Sequence, residues 1–151
     1  MPQSLSAIFI HSTWSTKERH PFLRDATLRA RTHEYLGGVS NQLGCPPIIV
    51  GGVEDHVHVL ARFARTGSVA DWIKEMKRVS STWIKDLDPS VSKFQWQAGY
   101  GAFSVSYSNV AKVERYIANQ ESHHRKQTFQ DEFRQFLRKH GIEWDERYVW
   151  D

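Results

Sequence analysis

The chain has 151 residues, of which 40% are hydrophobic, 25% charged and 13% aromatic, and its formal net charge is +3. This length suits one domain with a buried core, and no apolar run approaches the roughly 18 to 20 residues that span a bilayer. The N-terminus lacks the pattern of a secretory signal, and a single cysteine, Cys45, cannot form an internal disulfide. We therefore expect a soluble, cytoplasmic protein, whose mild positive charge permits a polyanionic partner without requiring one.

The first half of the chain is predicted to form a strand, a helix, a hairpin and a second helix. Residues 6–14 alternate as in a strand, and apolar residues at helical spacing predict a helix over residues 25–43. Residues 48–51 and 56–63 indicate two strands joined by a tight turn. Ser68 then follows a glycine and has the character of a helix N-cap.

The second half is predicted to add two short strands and two helices. The strands cover residues 94–97 and 102–106, on either side of a glycine-rich turn. A helix over residues 109–124 follows, with Ser108 as its predicted N-cap, and Thr128 begins the last helix. The tail beyond that helix is aromatic, and we expect it to pack against the rest of the protein.

No internal repeat, low-complexity tract or long linker divides this succession of elements, so residues 1–151 are predicted to form one domain. Hairpins are mixed with helical crossovers. This mixture favours an α+β fold with a largely antiparallel sheet.

Two histidines on the third predicted strand form the first candidate site. Side chains two residues apart on a strand point to the same face, so His56 and His58 project together while Val57 and Val59 point to the opposite face. Two adjacent imidazoles can supply two ligands to one divalent ion. The motif is short, however, and two surface histidines on a half-exposed strand would explain it equally well.

The second candidate site lies on the helix predicted for residues 109–124. Tyr116 and Gln120 are four residues apart and would therefore share a helical face. A tyrosine hydroxyl has an ordinary pKa of roughly 10, so as a nucleophile it needs a base or a cation that polarises its target. The Gln120 amide oxygen could complete a metal site. Taken alone, the pair also fits a half-buried tyrosine beside a solvated glutamine.

The two sites together resemble the signature of the HUH single-tyrosine transposases of bacterial insertion sequences, and of their relatives, the REP-associated tyrosine transposases. These proteins carry a His-hydrophobic-His strand followed by a helix with Tyr-x-x-x-Gln. The resemblance extends from about residue 5 to residue 150. It is carried by residues 14–17, 54–60, 96–106, 116–124, 129–133 and 145–150.

This resemblance implies a ferredoxin-like or RRM-like sandwich and a metal-dependent activity on single-stranded DNA. It implies that His56, His58 and Gln120 bind Mg²⁺ or Mn²⁺. Tyr116 would attack the scissile phosphate and form a 5′-phosphotyrosine intermediate, through which DNA hairpin ends are cleaved and rejoined. It also implies a homodimer in which the tyrosine helix of one subunit completes the histidine pair of the other, although the sequence leaves open whether Tyr116 acts in cis or in trans.

Basic side chains near the predicted site and on the middle helix are candidates for contacts with DNA phosphates. These residues are Lys74, Lys77, Arg78, Lys112, Arg115, Arg125 and Lys126. A solvated helix face would explain each of them equally well. His11 would face the site if the first strand were central in the sheet.

Three other functions would use part of this sequence pattern. The histidine-triad nucleotide hydrolases need a third histidine where this chain has Leu60. The two-histidine phosphoesterases use His-x-Thr or His-x-Ser twice, whereas this chain has His-Val-His once. A domesticated relative that binds DNA or RNA hairpins without cleaving them is the serious alternative, because an RRM-like sheet suits single strands. The intact Tyr116, His56 and His58 argue against it.

Overall fold

The computed structural model describes residues 2–151, which contain four strands, five α-helices and three short 3-10 helices. The strands are β1 (Phe9–Ser15), β2 (Pro47–Gly52), β3 (His56–Arg62) and β4 (Gly101–Val105). The helices are α1 (Ala26–Gln42), α2 (Val69–Leu87), α3 (Val110–Ala118), α4 (Gln120–His124) and α5 (Phe129–Lys139). Among these residues, no helix has the length and apolarity needed to cross a membrane.

The four strands form one antiparallel sheet in the order β2-β3-β1-β4. With the chain order β1-α1-β2-β3-α2-β4, this is the ferredoxin-like arrangement, and the predicted α+β sandwich is confirmed. The central strands are β1 and β3, which pair in register from Phe9 with Arg62 to Ser15 with His56. The strand that carries His56 and His58, β3, therefore has a hydrogen-bonded neighbouring strand on each side.

Helices cover both faces of the sheet, and the period of two along each strand decides which side chains meet them. On one face, Trp14, Val57 and Val59 pack against Trp72 and Met76 of α2 in the main hydrophobic core. On the opposite face, Phe103 of β4 packs against the apolar side of α5 in a second, smaller core. His56 and His58 belong to this second face, because they alternate with the buried valines of β3.

Two helix starts follow the predicted capping chemistry. Ser68 accepts a hydrogen bond from the backbone N–H of Asp71 at 3.1 Å, and Thr128 accepts one from Asp131 at 3.2 Å. Each hydroxyl satisfies a backbone donor that has no partner within the first turn of its helix. The cap at Thr128 fixes where α5 begins, and thereby which of its side chains face the sheet.

The structure corrects two predicted elements. Residues 94–97 do not form a strand, because β4 already pairs with the edge of β1 from Phe9 to Thr13. Only Trp96 makes an isolated bridge, with Thr16. The helix predicted over residues 109–124 is interrupted at Asn119, whose ψ of 20° departs from helical geometry, and it divides into α3 and α4. The predicted N-cap is also wrong: the structure assigns the cap position of α3 to Asn109, without a side-chain hydrogen bond.

The aromatic tail packs against the protein, as predicted. Trp144, Val149 and Trp150 contact the second core beside α5, and the backbone oxygen of Asp151 accepts a hydrogen bond from the N–H of Gly99 at 2.8 Å. The tail thus holds α5 against the sheet face that carries the two histidines.

Candidate active site

The two histidines of β3 are fully buried, with no exposed area on either side chain. The interpretation of His56 and His58 as surface histidines is therefore wrong. Helices α3, α4 and α5 supply the side chains that cover them. His11 of the central strand β1 also reaches the site, where its Nε2 lies 2.7 Å from Nδ1 of His58.

Asp55 and Gln120 determine the orientation of His56. The Nδ1–H of His56 donates to Oδ1 of Asp55 at 2.7 Å, and Nε2 lies 2.9 Å from Oε1 of Gln120. A neutral imidazole that donates through Nδ1 carries a lone pair on Nε2. Nε2 and the amide oxygen are then two acceptors that face each other. This is the arrangement of two ligands around a cation, and a histidine that binds a metal commonly donates its other N–H to a carboxylate.

Glu132 of α5 connects the other side chains of the site, although none of the sequence motifs indicated it as a site residue. Its side chain is 1% exposed. Oε1 accepts a hydrogen bond from Nε2 of His58 at 2.9 Å. Oε2 accepts from the Tyr116 hydroxyl, from Nε2 of Gln120 at 3.1 Å and from Nε2 of His124 at 3.1 Å. One carboxylate therefore connects the histidine pair with the tyrosine.

A signal for Glu132 was present in the sequence. Phe129, Glu132, Phe133 and Phe136 have the i, i+3, i+4, i+7 spacing of the buried stripe of an amphipathic helix. A carboxylate inside such a stripe must be paired or bound to a metal, because burial of an isolated charge is costly. His124 offered no comparable signal, since its approach to the site depends on the break at Asn119.

The environment sets the protonation of these groups. Complete burial lowers the pKa of His58, although the Glu132 carboxylate opposes this shift, and burial together with the nearby His58 holds the pKa of His11 well below its ordinary range. Burial disfavours the charged form of Glu132, but His58 and His124 outweigh it and hold its pKa well below the ordinary range. Burial raises the pKa of Tyr116, and the Glu132 charge raises it further.

A neutral His58 beside an ionised Glu132 is the form in which both groups bind metal ions. Burial disfavours the charged form of His124, but its contact with Glu132 outweighs burial and raises the pKa of His124. Four side chains place one potential ligand atom each within 4.8 Å of one another: His56, His58, His124 and Glu132. The amide oxygen of Gln120 is a fifth candidate. Gln120 is buried, so the interpretation of it as a solvated glutamine is wrong.

A cavity of about 310 Å³ opens beside Tyr116 between β4, α3 and α5. His11 and Phe136 lie on its inner side, and Lys112 and Lys139 also line it. Lys112 is thus one of the predicted DNA contacts that the structure brings close to the tyrosine.

The other predicted DNA contacts are distributed over the molecule. Arg115 is exposed on α3, Arg125 lines a groove shared with Gln120, and Lys126 lines a groove with His123. The three residues of α2 belong to the helix that packs on the opposite face of the sheet, away from the histidines.

The α2 residues also differ in what they contact. Lys77 donates to the backbone oxygens of Gln97, Ala98 and Gly99 at 2.9, 3.2 and 2.6 Å, so its ammonium group anchors the loop before β4. Arg78 pairs with Glu75 at 2.6 Å. Lys74 is exposed.

A family model described as "Transposase IS200 like" matches residues 4–120. The chain belongs to the IS200-like transposase family. This confirms the family that the sequence motifs indicated and makes the protein a transposase. The matched segment contains His56, His58 and Tyr116 and ends at Gln120. The family model therefore does not cover α5 with its Glu132, nor the resemblance suggested for residues 129–133 and 145–150.

Two solved structures have the same fold as this IS200-like transposase. One, described as an inferred transposase of Deinococcus radiodurans R1, is 23% identical, with a TM-score of 0.62 and coverage of 80% of this chain and 95% of its own. The other, a REP-associated tyrosine transposase bound to a REP hairpin, is 10% identical, with a TM-score of 0.59 and coverage of 82% of this chain and 72% of its own. No curated protein sequence matches the chain.

Proposed function

We propose that this transposase cleaves and rejoins single-stranded DNA through a 5′-phosphotyrosine intermediate formed by Tyr116 in a metal-dependent reaction. The observation that carries this proposal is the shared carboxylate of Glu132, which accepts hydrogen bonds from both the Tyr116 hydroxyl and His58. A nucleophile and two potential metal ligands therefore meet in one pocket. The Tyr116 oxygen replaces the 3′-oxygen on the scissile phosphorus, and that oxygen leaves as a 3′-hydroxyl. Because the new phosphotyrosine bond replaces a phosphodiester bond, rejoining the strands by this 3′-hydroxyl needs no ATP.

The donor set fits a divalent ion. His56, His58 and Gln120 would hold Mg²⁺ or Mn²⁺, with the Nε2 of His56 facing the Gln120 oxygen and its Nδ1–H directed to Asp55. When bound, the ion would supply Lewis-acid polarisation of the scissile phosphate. Tyr116 keeps its proton in the metal-free chain, because burial and the Glu132 charge both raise its pKa.

Single-stranded DNA would reach Tyr116 through the adjacent cavity. Its volume of about 310 Å³ lies at the lower end of the range for small-ligand pockets, a size suited to a short stretch of unpaired strand. Lys112 and Lys139 would neutralise phosphates there, and Arg115, Arg125 and Lys126 would contact DNA that extends beyond the cavity. Lys74 and Arg78 would contact DNA phosphates only if the DNA extended to the opposite face of the sheet.

A folded hairpin is the proposed form of the substrate. One structure with the same fold is described as bound to a REP hairpin, and we propose the same class of DNA for this chain. A homodimer in which Tyr116 acts in trans stays a prediction, because the contacts of Tyr116 described above lie within one chain. Mixing a Tyr116→Phe variant with a His58→Ala variant tests it: adduct formation by the mixture, and by neither variant alone, requires action in trans.

The decisive experiment incubates the protein with Mn²⁺ and labelled single-stranded hairpins taken from the DNA that flanks its gene. We expect a covalent protein–DNA adduct that survives denaturing electrophoresis and disappears in Tyr116→Phe. Tyr107→Phe is the matched control, because Tyr107 is 79% exposed whereas His56 and His58 are fully buried, and this variant should keep the adduct. Tight hairpin binding without any adduct would instead favour the domesticated, non-cleaving binder.

A further inference from the structure

Glu132 lies outside the family-matched segment, yet its carboxylate accepts hydrogen bonds from four members of the site: His58, Tyr116, Gln120 and His124. We propose that Glu132 is a ligand of the catalytic metal ion, through Oε1, and that α5 is therefore part of the catalytic centre. This inference rests on the proposed metal-dependent function, and it adds an anionic ligand to the neutral set of His56, His58 and Gln120.

The distances between donor atoms suit this role. Oε1 of Glu132 lies 2.9 Å from Nε2 of His58 and 3.6 Å from Nε2 of His56. Ligands at right angles around an octahedral ion, with bonds of about 2.1 Å, lie about 3 Å apart. Oε1 is therefore close to the spacing that a shared ion would impose. His58 could ligate through Nε2 by donating its Nδ1–H to Nε2 of His11 instead, across the existing 2.7 Å contact.

The charge of the pocket also calls for a cation. Within residues 2–151, the basic side chains within 4.0 Å of the Glu132 carboxylate are three histidines, with no lysine or arginine among them. A carboxylate that is 1% exposed needs a compensating positive charge. His124 provides part of that charge, because its contact with Glu132 outweighs burial and raises its pKa. A divalent ion beside Oε1 would provide the rest.

The two oxygens of Glu132 then have separate tasks. Oε1 faces the histidine pair, whereas Oε2 accepts hydrogen bonds from Tyr116, Gln120 and His124. With Oε1 on the ion, Oε2 can hold the Tyr116 hydroxyl at a fixed distance from the metal. Glu132 would thus connect metal binding to the position of the nucleophile. A purely structural role for Glu132 would leave metal affinity unchanged, and this difference separates the two explanations.

The test is calorimetric titration of the full chain with Mn²⁺. We expect Glu132→Gln to weaken Mn²⁺ binding at least tenfold, because it removes the charge while nearly preserving the shape. Glu143→Gln is the control: Glu143 lies exposed in the tail, and its replacement should leave the affinity unchanged. Equal affinities of the wild type and Glu132→Gln, or a wild type that binds no Mn²⁺, would overturn the proposal.

Tyr116→Phe separates this inference from the proposed reaction. It should bind Mn²⁺ as the wild type does while forming no DNA adduct, so a wild type that binds Mn²⁺ through Glu132 without cleaving DNA would refute only the reaction. If Glu132→Gln does not fold, anomalous diffraction from wild-type crystals soaked in Mn²⁺ gives the answer directly. An ion within about 2.4 Å of Oε1 supports the proposal, and an ion separated from Glu132 by a water molecule refutes it.

Discussion

Replacing Gly51 with alanine should push the tyrosine helix away from the histidine strand. Gly51 of β2 pairs with His58 of β3, and a Cβ at Gly51 would lie 2.8 Å from Cγ2 and 3.0 Å from the backbone oxygen of Ile117. Non-bonded carbon atoms prefer about 3.5 to 4.0 Å, so α3 would have to move by about 1 Å. The backbone oxygen cannot turn aside as a side chain could, and the displacement therefore reaches the neighbouring Tyr116.

Two magnitudes follow from that displacement. Overpacking of this kind costs about 1–3 kcal/mol in the free energy of unfolding, which urea denaturation of the Gly51→Ala variant measures. A misplacement of about 1 Å at a reacting group can lower a rate roughly 100-fold, so the rate of adduct formation on hairpin DNA should fall by about that factor. The rate loss should persist at temperatures where the variant is fully folded.

Gly38→Ala provides the matched control. Gly38 lies exposed in α1, and nothing lies within 4 Å of a Cβ built there. Alanine is favoured over glycine in a helix by roughly 0.5–1 kcal/mol, so this variant should be slightly more stable and equally active. If Gly51→Ala matched the wild type in both stability and adduct rate, the close packing of α3 on β2 would be refuted as the feature that positions Tyr116.

Two further predictions concern pH and salt. Burial and the nearby Arg29 lower the pKa of His33 to about 4; the unfolded chain gains this proton near pH 6.5 and the folded chain only near pH 4. Stability should therefore fall by at most about 3 kcal/mol as the pH drops through that window, and His33→Leu should remove this part of the loss in urea denaturation. Lys112→Gln should weaken hairpin binding and reduce the slope of log affinity against log salt by about 1.

Each of these two predictions has its own contrary result. For His33, the difference in stability between the wild type and His33→Leu should change between pH 7 and pH 4; a difference that stays constant would contradict the buried, neutral state assigned to this histidine. For Lys112, the comparison is Lys93→Gln, which changes an exposed lysine that does not line the cavity beside Tyr116. Equal salt slopes for both variants would remove Lys112 from the proposed DNA contacts.

Local patterns predicted most of the fold correctly, and the failures have identifiable causes. The caps at Ser68 and Thr128 were predictable because each depends on atoms within one turn of helix. The strand expected over residues 94–97 did not form because β4 already pairs with most of β1. That competition depends on sheet order, which no local pattern contains. The interruption of the predicted helix at Asn119 also depends on the tertiary structure. It lies where the chain leaves α3 and enters α4, which carries Gln120 and His124 to the site.

The site was predictable where one element determines it. The pleat of a single strand places His56 and His58 on one face, and the sequence alone determined that pairing. The sequence also contained the residues that carry the resemblance to the single-tyrosine transposases, among them the histidine pair, Tyr116 and Gln120. It could not determine which helix would lie over the histidines or how deeply they would be buried.

Only the tertiary structure brought Glu132 and His124 to the histidine pair, 74 and 66 residues away along the chain from His58. The reason is physical. The direction of a side chain on one strand follows from local backbone geometry, whereas a contact between a strand and a distant helix depends on the packing of the whole domain. The sequence thus determined which residues could carry the chemistry, and the fold decided that a carboxylate from α5 would lie between the nucleophile and its histidines.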